Sequence, residues 1–315
     1  MDISVIIPSL NGKKYFDTFL SSVIKECKNS DYQAEVIIVD DNSDDGSMEY
    51  LSSIADDVLK PYKNTKKGAC SARNYGVSQS SGKYLVFLDN DVVIEEGFFA
   101  KLIPYFRDNN VGAVACAGYQ YDSKKQIDGI KLLKFKRGFF RFTKNILNDR
   151  IKENENEKEI LSFGVQGAYF ICRRDVFDEV CGISELFEPY LLEETDLMYK
   201  ILKHGYKILY AKDTTPLHKW GGTIASKVSD RTKYLSIRNR YLFNFIHLHS
   251  TKLFIQFTIF NFYRVFKSKD RKALKELYSI RHKIKAERNR EKSASKISDI
   301  TLLNKSKEYE KYITK

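Results

Sequence analysis

The chain has 315 residues, 43% of them hydrophobic and 13% aromatic, so it can bury the core of one large domain or two ordinary ones. Its five cysteines are scattered and lack C-x-x-C spacing, which argues against a disulfide framework or a zinc site and favours a reducing compartment. The first ten residues have no basic region ahead of their apolar run, so they do not read as a signal peptide, and we expect a cytoplasmic protein.

The formal net charge of +12 is distributed unevenly along the chain. Residues 230–315 contain 22 Lys and Arg against 8 Asp and Glu, whereas residues 1–229 contain 31 against 33. Because the excess positive charge belongs to the C-terminal part, we expect an anionic partner to be attracted there.

The first hundred residues alternate between strand-like and helix-like patterns. The predicted elements are, in chain order, a strand at 3–7, a helix at 15–27, a strand at 36–39, helices at 47–55 and 68–80, and a strand at 84–88. Strands joined through a helix pair in parallel, so the pattern predicts a doubly wound, nucleotide-binding α/β sheet.

The second part of the chain interrupts this alternation. Residues 122–160 are rich in Lys, Asn and Glu around a hydrophobic patch, and we predict a long mobile insertion that borders the cleft. The other predicted elements are strands at 111–119, 168–172 and 206–211 and helices at 175–180 and 194–204, the last ended by Gly205.

Two carboxylates follow the apolar run Tyr84–Leu88. Asp89 and Asp91 are separated only by Asn90, at the point where a buried strand would end in a cleft. Hard oxygen ligands at this spacing suit Mg²⁺ or Mn²⁺, especially when substrate phosphates complete the coordination. The alternative for an isolated Asp-x-Asp is a polar turn after a strand.

A second acidic pair, Asp40 and Asp41, ends the strand at 36–39. Ligands of open α/β sheets bind at the carboxyl ends of the strands, so these carboxylates can accept a hydrogen bond from a pyrimidine N–H or a ribose hydroxyl. Arg73 lies on the helix at 68–80, which reaches toward the same strand ends, and it can pair with the nucleotide or with Asp89.

Two further motifs carry candidate chemistry. Glu193, Glu194 and Asp196 crowd the start of a helix after an apolar loop, an arrangement that suits a general base facing a hydroxyl, although the helix dipole alone also favours acids there. His218 stands two residues before Trp220, the only Trp of the chain, and can ligate a metal or contact a diphosphate.

These pieces together resemble family 2 glycosyltransferases of the GT-A fold, especially the rhamnosyltransferase-like members. The resemblance covers roughly residues 2–245 and rests on six motifs in the expected order: SVIIPSLNG, VIIVDDNSDDGS, GACSARNYG, LDNDV, EETDL and HKWGG. It implies a Rossmann-like, mostly parallel sheet flanked by helices, with a C-terminal helical extension.

The resemblance also implies roles for individual residues. It assigns Glu194 as the catalytic base, with Glu193 as a rival because the family more commonly has Asp at the position of Glu194, and it assigns Asp91, Asp89 and His218 to the metal, Mn²⁺ or Mg²⁺. We place Asp196 and Trp220 on the acceptor side. The residues expected to bind the nucleotide-sugar are Pro8, Ser9, Asn11, Asp40, Asp41, Arg73, Asp89 and Asn90.

The implied reaction is a single displacement with inversion at the anomeric carbon. The expected donor is a nucleoside-diphosphate-sugar of the UDP or dTDP type, and the expected acceptor is a hydroxyl of a saccharide or lipid-linked saccharide. One alternative, a nucleotidyltransferase that forms nucleotide-sugars, needs a glycine-rich first loop with a following basic residue, which residues 8–12 do not provide. The other, a nucleic-acid-binding protein, is suggested only by the basic C-terminal part, where the run at 264–296 shows a helical apolar stripe and few exposed aromatic residues.

We divide the chain into a catalytic domain at 1–230 and a basic, partly apolar helical extension at 231–315. Residues 241–266 are dense in Phe, Ile, Leu and Tyr, but polar and charged residues interrupt them too often for a bilayer-spanning helix. We therefore predict helices that lie in the interface of an anionic membrane, on its cytoplasmic face, or that simply pack on the catalytic domain.

Overall fold

The computed structural model describes residues 1–142, 145–152, 159–219 and 229–314. The strands in this part of the chain are β1 (Ile3–Ser9), β2 (Ala34–Asp40), β3 (Leu59–Lys63), β4 (Tyr84–Leu88), β5 (Val92–Val93), β6 (Val111–Cys116), β7 (Gly118–Gln120), β8 (Gln126–Asp128), β9 (Leu133–Lys136), β10 (Phe139–Phe142), β11 (Leu161–Ser162), β12 (Tyr169–Arg173), β13 (Lys207–Ala211) and β14 (Leu217–His218).

The α-helices of the described residues alternate with these strands and then follow one another in the C-terminal part. They are α1 (Lys13–Tyr15), α2 (Ser21–Asn29), α3 (Ser47–Ser53), α4 (Ala69–Ser78), α5 (Phe98–Leu102), α6 (Arg174–Glu179), α7 (Glu193–Lys203), α8 (Asp230–His247), α9 (Thr251–Asn261), α10 (Ser268–Ser279), α11 (Arg281–Ala294) and α12 (Asp299–Ile313). A π-helical turn at Phe16–Leu20 joins α1 to α2.

Eight strands form the central sheet, in the order β11-β13-β6-β12-β4-β1-β2-β3. The pairs β1–β2, β1–β4, β2–β3 and β6–β13 are parallel, and β12 is antiparallel to both of its neighbours. β1 and β2 are buried almost throughout, as continuous apolar runs in a parallel sheet should be. The predicted α/β sheet flanked by helices is confirmed, and the carboxyl ends of β1, β2 and β4 lie at one edge.

A smaller sheet of order β5-β14-β7-β8 lies beyond the end of β4. In it, β14 pairs antiparallel with β5 so that His218 stands opposite Val92. The backbone N–H of Lys219 also donates to the carbonyl oxygen of Asp91 at 3.0 Å. This small sheet therefore brings His218 next to the Asp-x-Asp turn, although the two are far apart in sequence.

The segment 122–160, which we predicted to be a mobile insertion, contains three strands in its described part. β9 and β10 form an antiparallel hairpin, and Phe139 and Phe140 are buried in it. The ring of Phe139 lies 5.2 Å from that of Tyr241, between centroids, and Phe140 contacts Phe243 of α8 in the same edge-on manner. Aromatic burial against the extension outweighs the polar composition that suggested mobility.

The C-terminal extension packs on the sheet through α8. Tyr241, Leu242, Phe243 and Ile246 of this helix belong to the same buried cluster as residues of β4, β6 and β12. Helix α8 therefore completes the core on that face of the sheet instead of building a separate one. Within the described residues, every helix is too short or too polar to cross a bilayer.

Candidate active site

Two carboxylates and an imidazole converge at the end of β4. Asp89, Asp91 and His218 each present one ligand atom, and these three atoms all lie within 4.8 Å of one another. Nε2 of His218 is 3.3 Å from Oδ1 of Asp91, and Nδ1 of His218 is buried without a hydrogen-bond partner among the described residues. Two carboxylate oxygens and one imidazole nitrogen form a donor set that suits a divalent cation.

The residues of this cluster shift one another's pKa values. Burial alone would lower the pKa of His218, but the hydrogen bond to Asp91 and the charges of Asp91 and Asp89 raise it. The pKa of Asp89 is raised, because desolvation by the surrounding protein and the charge of Asp91 outweigh the attraction of Arg73. Asp89 is thus a desolvated carboxyl beside a second carboxylate, and a bound cation would favour its charged form.

Arg73 links this cluster to the acidic start of α7. Its Nη2 lies 2.8 Å from Oδ1 of Asp89, and its Nη1 lies 2.9 Å from Oε1 of Glu193. The guanidinium is buried on α4, where only charged partners can compensate for its desolvation. The predicted pairing of Arg73 with Asp89 is present in the structure, and Glu193 is an additional partner.

The two adjacent glutamates of α7 have different environments. Glu193 is buried, and desolvation together with the charge of Glu194 raises its pKa to about 7 despite the nearby Arg73. Glu194 is half-buried and accepts a hydrogen bond from the Thr195 hydroxyl at 3.1 Å. Of the two, Glu194 is therefore the carboxylate that solvent and a substrate hydroxyl can reach.

Gly167 packs against the side chain of Glu194. A Cβ atom at Gly167 would lie 3.3 Å from Cγ of Glu194, so the missing side chain leaves room for that carboxylate. The next residue, Ala168, accepts a hydrogen bond from the backbone N–H of Asp89 at 2.9 Å. Glu194 and Asp89 are thus each in contact with one of two consecutive residues, Gly167 and Ala168.

The chain enters α7 through a strained turn. Leu191 and Leu192 have φ values of +80° and +71°, in the left-handed region that bulky residues rarely adopt. The buried amide of Asn239, on α8, donates from Nδ2 to the carbonyl oxygens of Phe187, Tyr190 and Leu191 at 3.1, 3.0 and 2.7 Å. Asn239 thereby holds the loop that sets where α7 begins and where Glu194 points.

We expect Asn239→Leu to lower the free energy of unfolding by about 1–3 kcal/mol, because the substitution leaves buried carbonyl groups without a donor. Urea denaturation followed by circular dichroism measures this change. Asn110→Leu is the matched control, since Asn110 is exposed and its side-chain amide donates to nearby Asp108. Equal unfolding midpoints for the two variants would contradict the role of Asn239.

The loops after β1, β2 and β4 interlock at the same edge of the sheet. Nδ2 of Asn90 donates to the Ser9 hydroxyl at 2.9 Å, and Oδ1 of Asn11 accepts from the backbone N–H of Asp44 at 3.0 Å. Pro8, the residue before the last of β1, is half-buried. The structure therefore brings the predicted nucleotide-binding residues of β1 and β4 together.

Asp40 and Asp41 follow each other at the end of β2 but face different partners. Asp40 accepts from the backbone N–H of Ser43, while its Oδ1 is buried without a partner among the described residues. Asp41 accepts from Nδ2 of Asn64 at 2.7 Å and from the backbone N–H of Gly68 at 2.9 Å. Both carboxylates lie at the sheet edge where the sequence predicted them.

Of Asp196 and Trp220, the two residues predicted on the acceptor side, the structure describes Asp196 and does not place it in the candidate site. Asp196 is fully buried, with Oδ2 3.0 Å from Nζ of Lys200 and Oδ1 2.6 Å from Nε2 of His247. Its prediction as an acceptor contact is wrong, because helical spacing turns it from Glu194 into the core, where it binds α8. Trp220 lies outside the described residues.

Two residues of the site had no counterpart in the sequence predictions. Asn64 follows β3, a strand that was missed because Lys60, Pro61 and Lys63 interrupt its apolar pattern. Glu188 accepts from the backbone N–H of Ser71 at 2.7 Å and so satisfies the first turn of α4 from a distant part of the chain. Asn64 could have been found from the sequence, because it is a polar residue directly after a strand. Nothing in the sequence around Glu188 indicates its contact with α4.

The architecture and this cleft define a GT-A glycosyltransferase fold. The structure of GalNAc-T7 with UDP, GalNAc and Mn²⁺ is similar, with a TM-score of 0.63 at 19% sequence identity over 80% of this chain and 49% of that one. Residues 4–181, more than half of the chain, match the family described as Glycosyl transferase family 2. The chain belongs to that family, and the resemblance to family 2 glycosyltransferases found in the sequence is confirmed.

Curated relatives agree with this assignment over a shorter span. An uncharacterized glycosyltransferase of Haemophilus influenzae is 34% identical over 113 residues, which are 35% of this chain and 44% of that protein. The GalNAc(5)-diNAcBac-PP-undecaprenol beta-1,3-glucosyltransferase of Campylobacter jejuni is 32% identical over 106 residues, 32% of this chain and 33% of that protein. The chain thus spans less than half the length of either relative.

Proposed function

We propose that the chain is an inverting, metal-dependent glycosyltransferase that moves a sugar from a nucleoside-diphosphate-sugar to an acceptor hydroxyl. The observation that carries this proposal is that Arg73 joins Asp89, a member of the cluster of Asp89, Asp91 and His218, to Glu193, whose neighbour in the chain is the half-buried carboxylate Glu194. A base for the acceptor and ligands for the departing diphosphate are the two groups that such a displacement needs.

Asp89, Asp91 and His218 would hold the cation. Their donor atoms suit Mn²⁺ or Mg²⁺, and Nδ1 of His218 is buried without a partner among the described residues. Desolvation and the charge of Asp91 raise the pKa of Asp89, and a bound cation would oppose this rise. The GalNAc-T7 structure, which shares the fold, contains UDP and Mn²⁺. When bound, the cation would neutralise the charge that develops on the diphosphate.

Glu194 accepts the proton of the acceptor hydroxyl as that oxygen attacks the anomeric carbon. Direct attack on the face opposite the leaving group inverts the configuration, and it needs one base and no protein nucleophile. Glu193 holds Arg73, and Arg73 holds Asp89, so the positions of base and metal ligands are coupled by charge-assisted hydrogen bonds. Base catalysis of this kind contributes about 10²–10⁴-fold.

The nucleotide would lie at the carboxyl ends of β1, β2 and β4. Asp41 is held by Asn64 and Gly68, so its carboxylate is fixed in direction and can accept the N–H of a pyrimidine base. This supports a donor of the UDP or dTDP type. Asp40, Ser9, Asn11 and Asn90 would complete the pocket around the base and ribose.

The acceptor is a saccharide or a lipid-linked saccharide, and the transferred sugar is of the hexosyl or rhamnosyl class. The name of the Campylobacter jejuni relative includes PP-undecaprenol, which supports a lipid-linked acceptor for this chain. The likeness to rhamnosyltransferase-like members supports the sugar class. Neither a nucleotidyltransferase nor a nucleic-acid binder is favoured by any contact at the site.

A donor panel tests the proposal. Purified chain is incubated with UDP-, dTDP- and GDP-sugars, and hydrolysis of the donor is measured with added Mn²⁺ and with EDTA. We expect hydrolysis of a pyrimidine-nucleotide sugar that requires the added metal. Full turnover in EDTA would rule out the metal-dependent mechanism, and turnover confined to GDP-sugars would overturn the assignment of the donor type.

A further inference from the structure

A dense group of apolar side chains lies on the surface of the extension. Of the eleven large hydrophobic side chains that are exposed among the described residues, seven fall on α9 and the turn after it. We call this group the α9 apolar surface, and it consists of Phe254, Ile255, Ile259, Phe260, Phe262, Tyr263 and Phe266. Scattered exposed apolar residues are ordinary, but a contiguous group marks an interaction site.

The α9 apolar surface is held outward by the opposite side of the same helix. Leu253, Phe257 and Asn261 recur every fourth residue and are buried against the hairpin and α8. The Phe257 ring lies 5.4 Å from that of Phe139, between centroids. Because Leu253, Phe257 and Asn261 pack α9 onto the core, the other apolar residues of the helix keep much of their surface exposed when the chain folds.

Basic residues surround the surface, and acidic ones are missing from its sequence. Residues 250–269 contain four Lys or Arg and no Asp or Glu. Lys252 and Lys267 flank the surface and are exposed, and so is Arg137 at the hairpin turn, whose neighbour Gly138 approaches Phe260 closely. Apolar side chains with a rim of flexible cations match the interface of an anionic lipid bilayer.

A second copy of the chain fits this surface less well. A symmetric dimer places the same patch against itself, so the basic rims would repel one another across the interface. An anionic bilayer accepts both features at once, since the rings enter the acyl boundary and the cations stay at the headgroups.

We propose that the α9 apolar surface docks the protein onto an anionic phospholipid bilayer, with Lys252, Lys267 and Arg137 at the headgroups. The hairpin connects this surface to the candidate active site. Its turn contacts α9, and at its other end Phe142 packs against Gly164, in the loop that continues to Gly167 beside Glu194. Four-residue strands rise roughly 10–13 Å, so a membrane-held acceptor would lie near the base.

Flotation of the full chain with lipid vesicles tests the proposal. We expect the protein to float with vesicles of phosphatidylcholine and phosphatidylglycerol, less so at high salt, and weakly with phosphatidylcholine alone. The double variant Ile259→Gln/Tyr263→Gln should bind at least about tenfold more weakly. Ile300→Gln/Tyr278→Gln is its matched control, because it removes the same residue types from exposed positions outside the surface.

Charge is tested separately by Lys252→Gln/Lys267→Gln, for which we expect about tenfold weaker binding, against Lys25→Gln/Lys28→Gln on α2 as a control. Failure of the full chain to float at low salt would overturn the proposal, as would surface variants that float like the wild type. Sedimentation that reveals a dimer abolished by Ile259→Gln/Tyr263→Gln would instead assign the surface to a second copy. Hydrolysis of a soluble donor should be unchanged in every variant, which separates this outcome from that of the proposed reaction.

Discussion

Replacing Glu194 with Gln is expected to lower kcat by about two to four orders of magnitude, with donor affinity nearly unchanged. The amide keeps the volume of the side chain and its hydrogen bond with Thr195, but it cannot take the proton of the acceptor hydroxyl. Steady-state kinetics with a competent acceptor and calorimetric titration of the donor measure the two quantities.

Glu193→Gln is the control that separates the base from its neighbour. Glu193 pairs with Arg73, so its substitution should weaken the link to Asp89 and disturb metal-dependent donor binding, besides any effect on turnover. A larger loss of kcat in Glu193→Gln, with Glu194→Gln close to wild type, would move the base by one residue.

Asp91→Asn is expected to remove most of the activity and to weaken Mn²⁺-dependent nucleotide binding at least about tenfold, without unfolding the protein. The carboxylate stands beside His218 and is replaced by a neutral amide that binds divalent cations poorly. Nucleotide titrations with and without Mn²⁺ measure the coupling between metal and nucleotide.

Asp57→Asn provides the matched charge change for this experiment, because Asp57 is an exposed acid outside the site. Its activity and Mn²⁺ dependence should equal those of the wild type. If Asp91→Asn retained metal-dependent binding while Asp89→Asn lost it, the essential ligand would be the first carboxylate of the pair.

The sequence predicted an element well where its buried residues form an unbroken apolar run or a helical apolar stripe. β1, β2 and β4 are apolar runs in the middle of a sheet, and the elements between them follow helical spacing. β3 is an edge strand, so its exposed face tolerates lysines and a proline, and no apolar run marks it. The prediction therefore succeeded in the centre of the sheet and failed at its edge.

The site shows the same division. Asp89, Asp91, Asp40 and Asp41 were predictable because strand ends of a parallel sheet gather at one edge, whatever the rest of the fold does. Asn239 was not, because its role arises only when α8 packs beside the loop before α7, a contact that joins distant parts of the chain. Asp196 was misjudged for the same reason, since its partner His247 also lies on α8.

The clamp of Asn239 on the turn before α7 has a consequence for biosynthesis. A ribosome synthesises the strands and every described candidate ligand before it synthesises α8, so for that interval the turn before α7 lacks its contacts with Asn239. At about 5–20 residues per second, the stretch from Glu193 to His247 takes about 3–10 s to synthesise. The nascent chain is thus expected to stay inactive until α8 has been synthesised and has packed beside this turn.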